Sequence, residues 1–248
     1  MKDLNLKKMA EIKYILYVVL LLFCFCDQNR LTAESLVEKS ILAHGGENMI
    51  KSIQYTKSTK LFTENGELEN HLIQKITHQW DPFFTLMEWE HSDGIHSAVK
   101  KSGEISLTVN GALITDSLQL TQTGSSLDAA FYVFWQPFKL IEPSAKKVFL
   151  GRQKILDSIE VLALKVSYSD DPKADLWHYY FDPNTYKIKA VKVKHKKRSS
   201  LIINERYETA TGLSLNKTRK SYFLDSLGQI TYLRAAYQYE ILSVNYKK

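Results

Sequence analysis

Along most of this chain the hydrophobic positions recur at every second residue, and in two places they recur at helical spacing instead. The first helical stretch is TAESLVEKSILAHGG. Thr32 supplies a hydroxyl at the N-cap, and Glu34 lies in the first turn, where the helix dipole favours an acid. Ala33, Leu36, Val37, Ser40, Ile41 and His44 fall on one face, and Gly45-Gly46 ends the helix because glycine takes a left-handed cap at little cost. A short second helix is expected over about Glu47 to Ser52, burying Met49 and Ile50. From Ile53 the period is two. HLIQKITHQW, FFTLMEWEH, IHSAVKK, EISLTV and ALITDS read as strands, broken by Asn65-Gly66, Asp81-Pro82, Asp93-Gly94, Gly103 and Asn110-Gly111. Asn-Gly and Asp-Gly pairs mark hairpins, so neighbouring strands are expected to run antiparallel.

The second helical stretch is SSLDAAFYVFWQPFKL. Ser125 or Ser126 offers a cap, and Leu127, Ala130, Phe131, Phe134, Trp135 and Phe138 recur at helical spacing until Pro137 limits the helix. Strands then resume to the end of the chain. Leu162, Leu164, Val166 and Tyr168 share one face; Leu233, Ala235, Tyr237, Tyr239 and Ile241 share another. The plan is α+β: one helix, a long series of strands and one aromatic helix between them. About eleven or twelve consecutive strands twist and curl into a strongly curved antiparallel sheet. The two helices are the available covers for its concave face.

The amino terminus changes the picture of where this fold works. Tyr14 to Phe25 is a nearly unbroken apolar run of twelve residues, short of the about 20 that a spanning helix needs. Lys2, Lys7, Lys8 and Lys13 precede it, which is the order of a signal peptide, here residues 1–25. Residues 26–31 read as a tether and 32–248 as one domain. FCDQNR resembles the start of a bacterial lipoprotein with Cys26 as the lipidated residue, although Phe25 stands where a small residue is usual. Lipid anchoring, plain secretion and an uncleaved anchor are the three readings of this segment. Cys24 and Cys26 are the only cysteines, so the folded part holds no internal disulfide. The chain carries +6. The first 25 residues contribute +2 and leave +4 on the rest, a mild basicity that suits an anionic membrane surface. Export from the cytoplasm argues against nucleic acid.

Three segments carry a resemblance. SLVEKSILAHGGENMIKSI resembles the opening of the bacterial outer-membrane lipoprotein-sorting superfamily and its relatives among Bacteroidota-type lipoproteins of unknown function, with His44-Gly45-Gly46 its most distinctive group. LWHYYFDPNTYKIKAVKV resembles the family's aromatic strand, Asp-Pro turn at Asp182-Pro183 and returning strand. ETATGLSLNKTRKSYFLDSLGQ resembles its closing strand pair. The resemblance implies a half-open β-barrel capped by helices, with an apolar cavity for acyl chains; it does not imply an active site. The carriers of that system are soluble shuttles, whereas this chain reads as tethered, closer to a receptor or a lipid-binding lipoprotein.

Candidate chemistry is sparse. His44 reads as a capping or packing histidine beside the helix end. With a two-residue turn at Asp93-Gly94, Ser92 is expected opposite Ile95 and His91 opposite His96, a weak metal candidate without a visible third ligand. Asp170, Asp171 and Asp175 lack the spacing of a calcium loop and read as a polar turn. Lys192, Lys194, Lys196, Lys197 and Arg198 form a basic run suited to a solvated face or to anionic head groups. Hydrolase, zinc-protease, P-loop and dinucleotide motifs are missing. The expectation is therefore a monomeric, non-catalytic envelope lipoprotein without cofactor, holding a lipid or the acyl part of a lipidated protein. Trp80, Phe84, Trp89, Phe131, Phe134, Trp135, Leu164 and Tyr237 are the candidate lining, and Phe131, Tyr132, Phe134, Trp135 and Phe138 the candidate lid. The alternatives are a scaffold module with a self-filled core and, third, an unusual hydrolase.

Overall fold

The structure is a computed structural model, and it describes residues 31–46, 50–156, 158–171, 174–195 and 198–247. The expected signal peptide, Cys26, most of the tether, Met49, Lys196 and Lys197 lie outside the described residues. Helix α1 spans Ala33–Ala43. Its first turn is closed by a capping box: Thr32 Oγ1 accepts from the Ser35 amide at 3.1 Å, and Ser35 Oγ accepts from the Thr32 amide at 2.9 Å. Its end is a Schellman motif, with the Gly46 amide on the Ile41 carbonyl (2.9 Å) and the Gly45 amide on that of Leu42 (3.1 Å). Gly45 has φ +111, and a Cβ there would lie 2.4 Å from the Gly212 carbonyl oxygen. Both the turn and the close approach therefore require glycine. The expected second helix is not formed where the chain is described, because Ile50 already opens the first strand.

Thirteen strands of the described residues form one sheet. They are β1 (Ile50–Phe62), β2 (Leu68–Trp80), β3 (Phe83–His91), β4 (Gly94–Lys101), β5 (Glu104–Val109), β6 (Ala112–Leu113), β7 (Lys146–Ile155), β8 (Ile159–Ser167), β9 (Leu176–Phe181), β10 (Ile188–His195), β11 (Arg198–Tyr207), β12 (Asn216–Leu224) and β13 (Ile230–Tyr246). The spatial order is β6-β5-β4-β3-β2-β1-β13-β12-β11-β10-β9-β8-β7. Two meanders, β1–β6 and β7–β13, are thus welded by the antiparallel pairing of the first and last strands, with Thr59 opposite Tyr237 and Tyr55 opposite Ile241. The sheet is strongly curved and open, since β6 and β7 are its two edges. The connection between those edge strands must cross the whole sheet. It does so over the concave face, as helix α2 (Ser117–Phe134) and a short 3-10 turn (Phe138–Ile141).

Helix α2 begins eight residues before the stretch that periodicity marks. Asp116 is the N-cap, accepting from the Gln119 amide at 2.7 Å. Ser125 and Ser126 are not caps. Their hydroxyls bond back to the carbonyls of Thr121 and Gln122, both at 3.0 Å, inside the helix. Gly124 lets α2 lie against β5, because a Cβ there would meet Ile105 Cδ1 at 2.2 Å.

Two hydrophobic cores fill the concave side. Under α2, Phe134 stacks on Tyr55 (ring centroids 3.9 Å apart, planes 17° from parallel) among Ile53, Ile76, Met87, Leu127 and Tyr239. Under α1, Leu36 and Val37 pack on Leu162, Leu164, Val166, Tyr179 and Phe181. Burying side chains of this size stabilises by about 1.5–3 kcal/mol each.

Candidate cavity between the two cores

A cavity of about 490 Å³ lies between the two cores. Its roof is the Ser126, Ala129, Ala130 and Val133 face of α2, and its floor is the concave side of the sheet. Leu61, Leu72, Met87, Trp177, Val193 and Ile202 give it apolar walls, while Lys57, Thr59, Asn70, Gln74 and Arg219 give it polar ones. A second space of about 350 Å³ lies beside it under the amino-terminal half of α2, reaching Trp89, His96 and Leu107. Leu72, Gln74, Met87 and Ser126 line both. Cavities of about 300–1,000 Å³ hold drug-sized ligands.

Strand register explains the polar groups. Ile53 and Tyr55 are buried inward-facing residues of β1, so Lys57, Thr59 and Leu61, each two further on, face the same way. Arg219 pairs with Tyr237, which pairs with Thr59. Arg219 is only 3% exposed. Its Nη1 donates to the Val133 carbonyl at the end of α2 (3.0 Å), and its Nε has no hydrogen-bond partner among the described residues. The Lys57 ammonium lies 5.7 Å over the Tyr237 ring. Burial and the nearby Arg219 guanidinium push its pKa down to about 8.

The walls are held by two polar networks. Gln136 donates to the Tyr179 hydroxyl (3.2 Å), Tyr179 and Tyr132 share a hydrogen bond, and Tyr132 donates to Tyr168 (3.0 Å). This chain ties the end of α2 to β9 and to the residue just past β8, and burial raises the Tyr132 and Tyr179 phenols well above their ordinary pKa. His78 sits between Tyr55 Oη (3.0 Å) and Thr85 Oγ1 (2.9 Å), edge-on to Phe131, and desolvation pushes it down to about 3. His44 is buried at the end of α1, with Nδ1 2.8 Å from the Ser40 carbonyl and Nε2 unpartnered. Burial lowers it to about 4. These histidines are packing groups inside apolar clusters, in keeping with the capping role expected of His44.

The expected lining residues separate into four groups. Tyr237 lines the main cavity and Trp89 the adjoining one. Trp80, Phe131, Phe134 and Trp135 pack on one another as core, with Trp80 and Trp135 ring centroids 4.5 Å apart. The aromatic side of α2 is therefore anchored, and its small-residue side roofs the cavity. Leu164 belongs to the core under α1. Phe84 does not line the cavity. On β3 the buried positions are Thr85 and Met87, so Phe84 faces the opposite side of the sheet, and its neighbour Phe83 is the one that meets Phe131 (5.2 Å). Lys57 and Arg219 were not among the expected site residues, though their strand parity marked them as charges on an inward face.

The β3–β4 hairpin turns one step earlier than expected. His91 pairs with Gly94 and Trp89 with His96, so the two imidazoles are diagonal rather than opposed. A third group of ligand type, the Asp93 carboxylate, lies beside them, with one oxygen 3.0 Å from His91 Nδ1 and 2.8 Å from His96 Nε2. These hydrogen bonds hold Asp93 down at about 2. The trio is the one His/Asp cluster among the described residues with ligand atoms close enough for a metal, all within 4.8 Å, but Asp93 and His91 are open to solvent. Elsewhere Lys192 and Lys194 lie on the face of β10 opposite Val191 and Val193, and Arg198 stacks on Phe223. Asp170 and Asp175 pair with Lys146 and His195, as a polar turn does.

The sequence model of a family of unknown function, DUF6503, matches residues 12–200. No curated protein matches the sequence. Among solved structures, a LolA superfamily protein from Nitrosomonas europaea is similar at TM-score 0.57 and 8% identity, over 88% of this chain and 95% of that one. At that identity the likeness is one of fold. A DUF1329 family protein from Desulfovibrio piger aligns at TM-score 0.45 and 10% identity, over 86% of this chain and 92% of that one.

Proposed function

This chain belongs to DUF6503, a family of unknown function, and from that premise we propose that it is a non-catalytic cell-envelope protein that holds a lipid, or the acyl part of a lipidated protein, in its half-barrel. The observation that carries the reading is the space of about 490 Å³ beneath α2, which the anchored aromatic residues leave open. The fold it shares with a LolA superfamily protein supports the same reading. So do the sequence features of the amino terminus: a basic and apolar leader, with Cys26 as the lipidated residue of an outer-membrane anchor. The basic β10–β11 hairpin, with Lys192, Lys194 and Arg198, is the part of the surface that suits anionic head groups. None of the described helices is long and apolar enough to cross a membrane.

Native mass spectrometry of the full-length protein extracted in mild detergent tests this. The expected spectrum carries an acylated chain and a further adduct of lipid mass that leaves on collisional activation. A spectrum of bare protein, from cells that make it in abundance, contradicts the reading.

A further inference from the structure

A cavity meant only for hydrocarbon gains nothing from a buried guanidinium and an ammonium beside it. Buried charges are ordinarily paired, because an unpaired ion in a low-dielectric interior is costly. No acidic side chain lines this cavity among the described residues. Among the described residues neither Lys57 nor Arg219 takes part in an ion pair.

The two cations are close by construction. Lys57 lies opposite Tyr239, and Arg219 opposite Tyr237. They therefore sit on one face, two strands and one pleat apart, with the two tyrosines between them. The α2 carbonyl end supplies part of a counter-charge to Arg219 through Val133. Its Nε donor has no hydrogen-bond partner among the described residues, and the face of the Tyr237 ring gives the Lys57 ammonium partial compensation. Burial first, and the like charge of Arg219 second, depress the Lys57 pKa. Beside them the walls turn apolar through Leu72, Trp177, Val193 and Ile202, and the second space extends that surface.

We propose that the cavity selects an anionic amphiphile, with its carboxylate or phosphate head between Lys57 and Arg219 and its chain along the apolar wall. The proposal rests on the lipid-binding reading above and names the charge of the ligand. A charge-assisted hydrogen bond to a buried cation is worth about 1.5–3 kcal/mol, which is about a 10- to 150-fold preference over a neutral head.

The test uses full-length protein and displacement of the neutral fluorophore 1-aminoanthracene by dodecanoate, dodecyl phosphate, dodecanol and dodecyltrimethylammonium. At least one anion is expected to bind about tenfold or more tightly than the alcohol, and the cation most weakly. Whichever of carboxylate and phosphate wins distinguishes a free fatty acid from a phospholipid source. Lys57→Met is expected to erase most of the preference, and Lys57→Arg to keep it. The lysine variant carries the test even where Arg219→Gln fails to fold. Equal affinity for acid and alcohol, or an undiminished preference in Lys57→Met, overturns the proposal and leaves lipid binding standing. Failure of every ligand to displace the fluorophore overturns both.

Discussion

Acid should loosen this fold well before its carboxylates are protonated, and His78 should account for about half of the first loss. His78 and His44 are fully buried and are held at about 3 and about 4, against about 6.5 in an unfolded chain. Each is neutral when folded, so the unfolded chain binds the extra proton. Their contribution is intact above about pH 6.5 and is lost as the pH falls toward the folded values. At pH 5 the unfolded imidazole is almost wholly protonated and the folded one is not, which removes about 2 kcal/mol per histidine, or about 4 kcal/mol for the pair. With a urea slope of about 2–3 kcal/mol/M, the midpoint should fall by about 1.3–2 M between pH 7 and pH 5. Asp93, held at about 2 by His96 and His91, loses its effect only below about pH 4, outside this window. His178 is also lowered, by burial and by Lys192 and Lys165, and adds to the total fall. The His78→Gln variant isolates one contribution, because Gln keeps hydrogen-bonding capacity toward Tyr55 and Thr85 without titrating. Urea midpoints followed by far-ultraviolet circular dichroism should show the variant losing about 2 kcal/mol less than the native chain between the two pH values. An equal loss in both proteins would refute the assignment of His78 as a neutral, desolvated core group.

Three substitutions probe the rest of the frame. Gly45→Ala places a Cβ 2.4 Å from the Gly212 carbonyl at φ +111, and urea unfolding should show a loss of about 1–3 kcal/mol or more. Tyr132→Phe breaks the hydroxyl chain between Tyr179 and Tyr168; thermal unfolding should report a loss of about 1–3 kcal/mol. Phe134→Ala empties the stack on Tyr55 and should cost about 3–5 kcal/mol, read from chemical denaturation.

Much of the architecture was legible because it is local. The Thr32 cap, the Gly45-Gly46 stop and the alternation of Leu162, Leu164 and Val166 are each fixed by residues within a few positions of one another. What was not legible depends on distant partners. The weld of β1 to β13 joins residues nearly two hundred apart, and nothing local encodes it. The first half of α2 is rich in Ser, Thr and Gln, and it is helical because Asp116 caps it and the β6–β7 connection must span the sheet. The size of Phe84 suggests an inward side chain, but the parity set by buried Thr85 and Met87 turns it to the other face. The same parity, applied to Lys57 beside Ile53 and Tyr55, would have found the charged floor of the cavity. Bulk and hydrophobicity located the packed core; the open space is lined largely by smaller and polar residues.

The most direct test of the cavity itself is photo-crosslinking with a fatty acid that carries a diazirine near the end of its chain, followed by peptide mass spectrometry of the full-length protein. The labelled carbons should map to the inner walls around Leu72, Val133, Trp177 and Ile202, and excess unlabelled fatty acid should suppress the labelling. Labels confined to the outer face of the sheet, or spread over the surface and insensitive to competitor, would contradict a lipid-holding interior.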